Sequence, residues 1–144
     1  MVRRDVWEKV GGYHTGQRSY GGREPFLTFK MWLFGYRNFT VPTTNHIHYN
    51  GSRLYEWRDD WGNIGNDVFY RNCMTQAYSI GGEKWLDIIF NSFTSKKGVK
   101  REVISKLREE AISLSMKERS FVLGNQLLSF DDLWRKFDLE GVYY

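Results

Sequence analysis

At 144 residues the chain is long enough for one hydrophobic core but not for two large ones. A composition that is 41% hydrophobic, 26% charged and 17% aromatic excludes a disordered segment, and a single cysteine, Cys73, excludes an internal disulfide. The net charge of +4 is local: residues 96–119 carry eight Lys/Arg against four Asp/Glu, whereas the first 95 residues carry eleven against nine.

Alternating signs on one predicted helix mark a solvated face rather than a phosphate-binding stripe, so nucleic acid is a minor expectation. No apolar run reaches the roughly 18–20 residues of a membrane span. The opening "MVRRDVWEKV" has no apolar centre and does not read as a signal peptide, so a cytoplasmic chain is expected.

In chain order, "DVWEK" at 5–9 predicts a short helix closed by Gly11-Gly12, followed by a loop rich in Gly, Ser and Tyr up to Gly22. Pro25 suits a first helical position, leaving Glu24 at or beside the N-cap. Phe26, Phe29, Trp32 and Leu33 then form an apolar stripe at helical spacing, stopped by Gly35. "RNFTV" alternates Phe39 and Val41 like a strand ended by Pro42, and "HIHY" resumes extended structure. A polar, aromatic loop from Ser52 leads to two helices, "DVFYRNCMTQAY" and "EKWLDIIFNSF", separated by Gly81-Gly82. After a linker at 95–98, Val99, Val103, Ile104, Leu107, Ala111 and Leu114 predict an amphipathic helix. A last helix opens at Ser129, whose hydroxyl can cap it while Asp131 and Asp132 sit in its first turn.

Two features carry chemistry. Glu24 stands at a helix start behind Gly21 and Gly22, where the dipole favours an ionised carboxylate and the glycines admit a ligand close to the backbone. Such a group can act as a general base, or serve simply as a partner of the dipole. His46 and His48 are two residues apart and would share one face of a strand, as metal ligands or as histidines satisfied by backbone groups.

The order of these parts resembles the acceptor-side half of GT-A glycosyltransferases, especially glycosyltransferase family 2, from about Arg3 to Gly51. "RRDVWEKVGGY" resembles the segment before the family's acceptor loop, "GGREPFLTFKMWLFGY" its Gly-Gly-Glu-Asp box and following helix, and "VPTTNHIHYNG" its metal-binding strand. Residues 65–93 more loosely resemble a helical extension of some phage and bacterial members.

The resemblance implies an α/β chain (α+β as it stands): a partial GT-A fold lacking the amino-terminal nucleotide-binding half, with a helical carboxy-terminal extension. It divides the chain into an acceptor and metal-binding part at 1–51, a loop and helical extension at 52–95, and an amphipathic tail at 96–144. It implies a glycosyltransferase that moves a sugar from a nucleotide-sugar donor to a hydroxyl acceptor (glycan, lipid, protein or modified base) with inversion. Glu24 falls on the base. His48, with His46 as the next candidate, falls on the ligand of Mn²⁺ or Mg²⁺, whose charge would neutralise the departing diphosphate. Gly21, Gly22, Arg23, Tyr20 and Trp7 fall on the substrate side, though Tyr20 and Trp7 serve a core equally well. Arg23 stands where the family usually has an acid, and Glu24 where it usually has Asp.

The family's Asp-x-Asp motif and its preceding βαβ unit have no counterpart here. The expectation is therefore a fragment or a subunit whose partner chain supplies the nucleotide half, weakly active alone. A second reading is a non-catalytic module that binds nucleic acid or glycan through its basic and aromatic surface.

Overall fold

A computed structural model of the chain describes residues 2–17, 23–38 and 66–137, with side chains from Phe26 and Asp67 onward in the second and third stretches. Among them every regular element is a helix: α1 (Arg4–Val10), α2 (Arg23–Leu33), α3 (Asn66–Thr94), α4 (Arg101–Asn125) and α5 (Phe130–Phe137).

This overturns the α/β expectation and with it the partial GT-A fold, because the described residues contain no strand and no sheet. The physical reason lies in what covers the apolar faces. A sheet in an α/β protein is buried between helical layers, whereas here the helices bury their stripes against one another. One apolar cluster takes Val10 from α1, Phe26 and Leu33 from α2, Met74, Leu86 and Phe93 from α3, Ile104 and Val122 from α4, and Leu133 from α5. The two expected strands, around Phe39–Val41 and His46–Tyr49, lie outside the described residues.

Local signals account for most helix ends. Gly11 closes α1 in the left-handed region (φ 72°), its N–H on Glu8 O, while Gly12 N–H reaches Trp7 O. This is the paired bonding of a Schellman cap. Helix α2 starts at Arg23, two residues before the proline, so Pro25 is its third residue rather than its first. At its far end the Leu33 carbonyl accepts from Leu127 N–H (2.7 Å) and Leu128 N–H (3.0 Å), so the α4–α5 connection caps α2. Helix α5 opens with reciprocal bonds: Asp132 N–H donates to Ser129 Oγ, and Ser129 N–H to Asp132 Oδ2. The Ser129 cap expected from the sequence is present, and the Asp132 side chain completes it as a capping box.

Helix α3 is broken at Gly82 (φ 63°, ψ −151°). Tyr70 and Phe93 would stand about 35 Å apart in a continuous helix. Their rings are 4.5 Å apart, so the arms on either side of Gly82 fold back on each other. The two helices expected around Gly81-Gly82 are these arms. Helix α4 packs against both. Arg108 reaches Glu83 and Asp87 on the second arm, and Ser115 Oγ lies 2.9 Å from Thr75 O on the first. Small side chains at the contact (Thr75, Ser79, Ala111, Ser115), all buried, let the backbones approach closely.

The buried face of α4 differs from expectation. Ile104, Leu107, Ala111, Ser115 and Val122 are buried, whereas Val103 and Leu114 are 38% and 42% exposed. The helix also runs to Asn125, well past Leu114, the last residue of the predicted stripe.

Candidate functional site

Of the predicted site, the described residues include Trp7 and the turn joining α1 to the loop before α2. A Cβ on Gly12 would lie 2.8 Å from the Trp7 indole, at φ +59°, so only glycine fits there. Trp7 covers this glycine and meets Tyr13 edge-on at 5.2 Å, leaving the residue 37% exposed. Its indole therefore supports the turn and offers only part of itself to a ligand.

Beneath the turn lies Lys30, which has no solvent exposure. Its Nζ donates to Gly12 O (3.2 Å) and to Glu118 Oε1 (2.5 Å), and sits over the rings of Phe26 and Phe121 at 5.3 and 5.2 Å. Burial pulls the ammonium below its ordinary range, and the hydrogen bond and charge of Glu118 pull it back. One side chain thus ties α1, α2 and α4 together. The helical spacing showed an apolar stripe through "FLTFKMWLF" but missed its cation, one helical turn after Phe26.

His14 is the only histidine among the described residues, and it is 5% exposed. Its Nδ1 accepts the Gly16 N–H at 2.9 Å, which leaves the proton of the neutral ring on Nε2. That atom is buried and has no hydrogen-bond partner among the described residues. Burial lowers the imidazole's proton affinity, with Glu118 opposing and Lys30 adding to the effect. Next along the loop, Gln17 Nε2 donates to Asn72 O (3.3 Å) and links the loop to α3.

Of the sequence-predicted residues, Arg23 and Glu24 occupy the first turn of α2 by their backbones. Tyr20, Gly21, Gly22, His46 and His48 lie outside the described residues. Among the described residues no group of three or more His, Cys, Asp or Glu side chains could hold a metal ion. Cys73 is no nucleophile candidate: it is 4% exposed, and burial pushes its thiol up to about 12.

An open groove of about 460 Å³ lies between the second arm of α3 and α4, lined by Asp87, Phe90, Arg101 and Arg108 among others. None of the sequence-predicted site residues lines it, and Arg108 is already held by Glu83 and Asp87 at 2.6 and 2.9 Å.

Compared with protein-family models, curated proteins and solved structures, the chain matches none. No helix among the described residues is long and apolar enough to cross a membrane.

Proposed function

We propose that the chain takes part in glycosyl transfer from a nucleotide sugar to a hydroxyl acceptor in the cytoplasm, with Glu24 as the base. The reading rests on the similarity of residues 3–51 to the acceptor side of family 2 glycosyltransferases. The observation that carries it furthest is the place of Glu24 in the first turn of α2. A helix dipole stabilises a carboxylate anion there. Lys30, one and a half turns further along, anchors the helix to the Gly12 carbonyl and to Glu118. A base must be held still to be useful, and this anchor supplies a fixed mount.

In the proposed step Glu24 takes the acceptor hydroxyl proton as that oxygen attacks the anomeric carbon, and the nucleoside diphosphate leaves with the bonding pair. Mn²⁺ or Mg²⁺, held by His48 with His46 as the next candidate, would neutralise the leaving diphosphate when bound.

The test measures nucleoside diphosphate released from a panel of nucleotide sugars with Mn²⁺, using the chain alone and co-expressed with its neighbouring reading frame. Glu24→Gln is expected to slow release by about 10²-fold or more with an unchanged melting temperature. Equal rates sink the base assignment, and no release from any donor in either preparation sinks the transferase reading. His48→Ala is expected to weaken Mn²⁺ affinity; an unchanged affinity transfers the ligand role away from it.

A further inference from the structure

The groove between the second arm of α3 and α4 offers about 460 Å³ of space, within the range of small-molecule sites. Its two arginines are in different states. Arg108 is neutralised by Glu83 and Asp87 at 2.6 and 2.9 Å. Arg101 has no carboxylate or carbonyl partner among the described residues, and its guanidinium carbon lies 5.2 Å from the centre of the Phe90 ring. Contact with a ring steadies a guanidinium without using any of its five N–H donors. Those donors remain available to the groove.

Two further lining groups are unengaged. The Asn91 amide and the Ser105 hydroxyl have no hydrogen-bond partner among the described residues. By contrast Ser79, Ser115 and Ser120 each donate to a carbonyl one turn back in their own helix. Ser105 stands one turn after Arg101 on α4, and Asn91 directly follows Phe90 on α3. The planar fork of an arginine matches two oxygens of one carboxylate or phosphate, while an amide and a hydroxyl can each exchange hydrogen bonds with ligand hydroxyl groups. The acids of the groove oppose an anion only weakly. Asp87 is paired with Arg108, and Glu109 is eight residues beyond Arg101. That is about 12 Å along the helix, further than the screening length of about 8 Å at physiological salt.

We propose that this groove binds a small hydroxylated oxyanion, its phosphate or carboxylate held by Arg101 and its hydroxyl groups by Asn91 and Ser105. The site shares no residue with the glycosyl-transfer reading and does not depend on it.

Glycerol 3-phosphate, glycerate and inorganic phosphate are the probes, each titrated into the ¹⁵N-labelled chain at constant ionic strength. A saturable shift is expected for the amides of Phe90, Asn91 and Ser105 and for the Nε–H of Arg101. Glycerol 3-phosphate should bind more tightly than inorganic phosphate, because only the former brings hydroxyl groups to Asn91 and Ser105. The tighter of glycerol 3-phosphate and glycerate identifies the anionic group. Affinity should fall about tenfold in Arg101→Lys, which keeps the charge and removes the fork. It should be unchanged in Arg135→Lys, which alters an exposed arginine of α5 outside the groove. The proposal is overturned by shifts centred away from the groove, by equal affinity in Arg101→Lys, or by an equal loss in Arg135→Lys. Inorganic phosphate binding as tightly as glycerol 3-phosphate, or no saturable shift with any probe, overturns it as well.

Discussion

Lys30 and Glu118 form a pair with unequal partners: the lysine is fully enclosed and the glutamate side chain is 16% exposed. Removing one member of a buried pair strands the other, at about 3–5 kcal/mol when the survivor cannot reach water. Glu118→Ala is therefore expected to destabilise the chain more than Lys30→Met, because Glu118 can rehydrate and Lys30 cannot. Urea denaturation of both variants decides it, and a Glu118→Ala loss below about 1 kcal/mol would place the pair among weak surface bridges. His14 gives this corner a pH dependence. Its folded proton affinity is depressed chiefly by burial, so between the folded value and the unfolded value of about 6.5 the unfolded chain binds more protons. The stability that His14 permits is fully present above that unfolded value and is lost as pH falls through the folded one. His14→Gln should flatten this acid limb as pH falls below about 6.5; an identical limb in both proteins removes His14 from the account.

Among the elements, the hairpin of α3 depends on a single backbone conformation. At Gly82, φ 63° with ψ −151° is a region that residues with a Cβ essentially do not enter, and an added Cβ would meet Arg119 Nη2 at 3.0 Å. Arg119 also donates to the carbonyls of Ile80 (2.6 Å) and Ser79 (3.4 Å), placing a cation on the carboxyl end of the first arm. Gly82→Ala is expected to cost about 1–3 kcal/mol. Gly124, inside α4 with nothing within 4 Å of an added Cβ, is the control. Gly124→Ala should stabilise by about 0.5 kcal/mol through the unfolded chain and helix propensity. Thermal unfolding of the two variants should move in opposite directions.

Over the whole molecule, much of the excess positive charge is engaged internally. On α4, Arg108 serves two carboxylates and Arg119 two carbonyls, and Arg101 lies over the Phe90 ring. Elsewhere Lys84 pairs with Asp131, and Lys96 sits over Tyr70 and Phe93. A chain with its cations so occupied releases few counterions. Any binding to random-sequence duplex DNA should show a shallow logarithmic salt slope, no steeper than about −3; a much steeper slope would favour the nucleic-acid-binding reading.

The helix starts and stops were largely legible in the sequence. The Gly11-Gly12 closure and the Ser129 cap rest on bonds spanning five residues or fewer, and the break at Gly81-Gly82 on the backbone conformation of one glycine, all of which a local pattern contains. The helical stripe in α2 was legible for the same reason, although its buried lysine was not. That residue's partner is 88 positions away. The face of α4 that is buried was misread because Val103 and Leu114 satisfy helical periodicity as well as Ser115 does not. The hydroxyl of Ser115 reaches the Ala111 carbonyl within its own helix, but finds the Thr75 carbonyl only once α3 is alongside. The α/β expectation failed likewise, since it took the layers from a family resemblance, and layers are decided by which faces meet. The sequence alone determined where the chain turns and where helices begin, because those events are settled by neighbouring backbone groups. Only tertiary structure decided what is buried and what pairs with Lys30, because those outcomes depend on complementary shape and charge between distant segments.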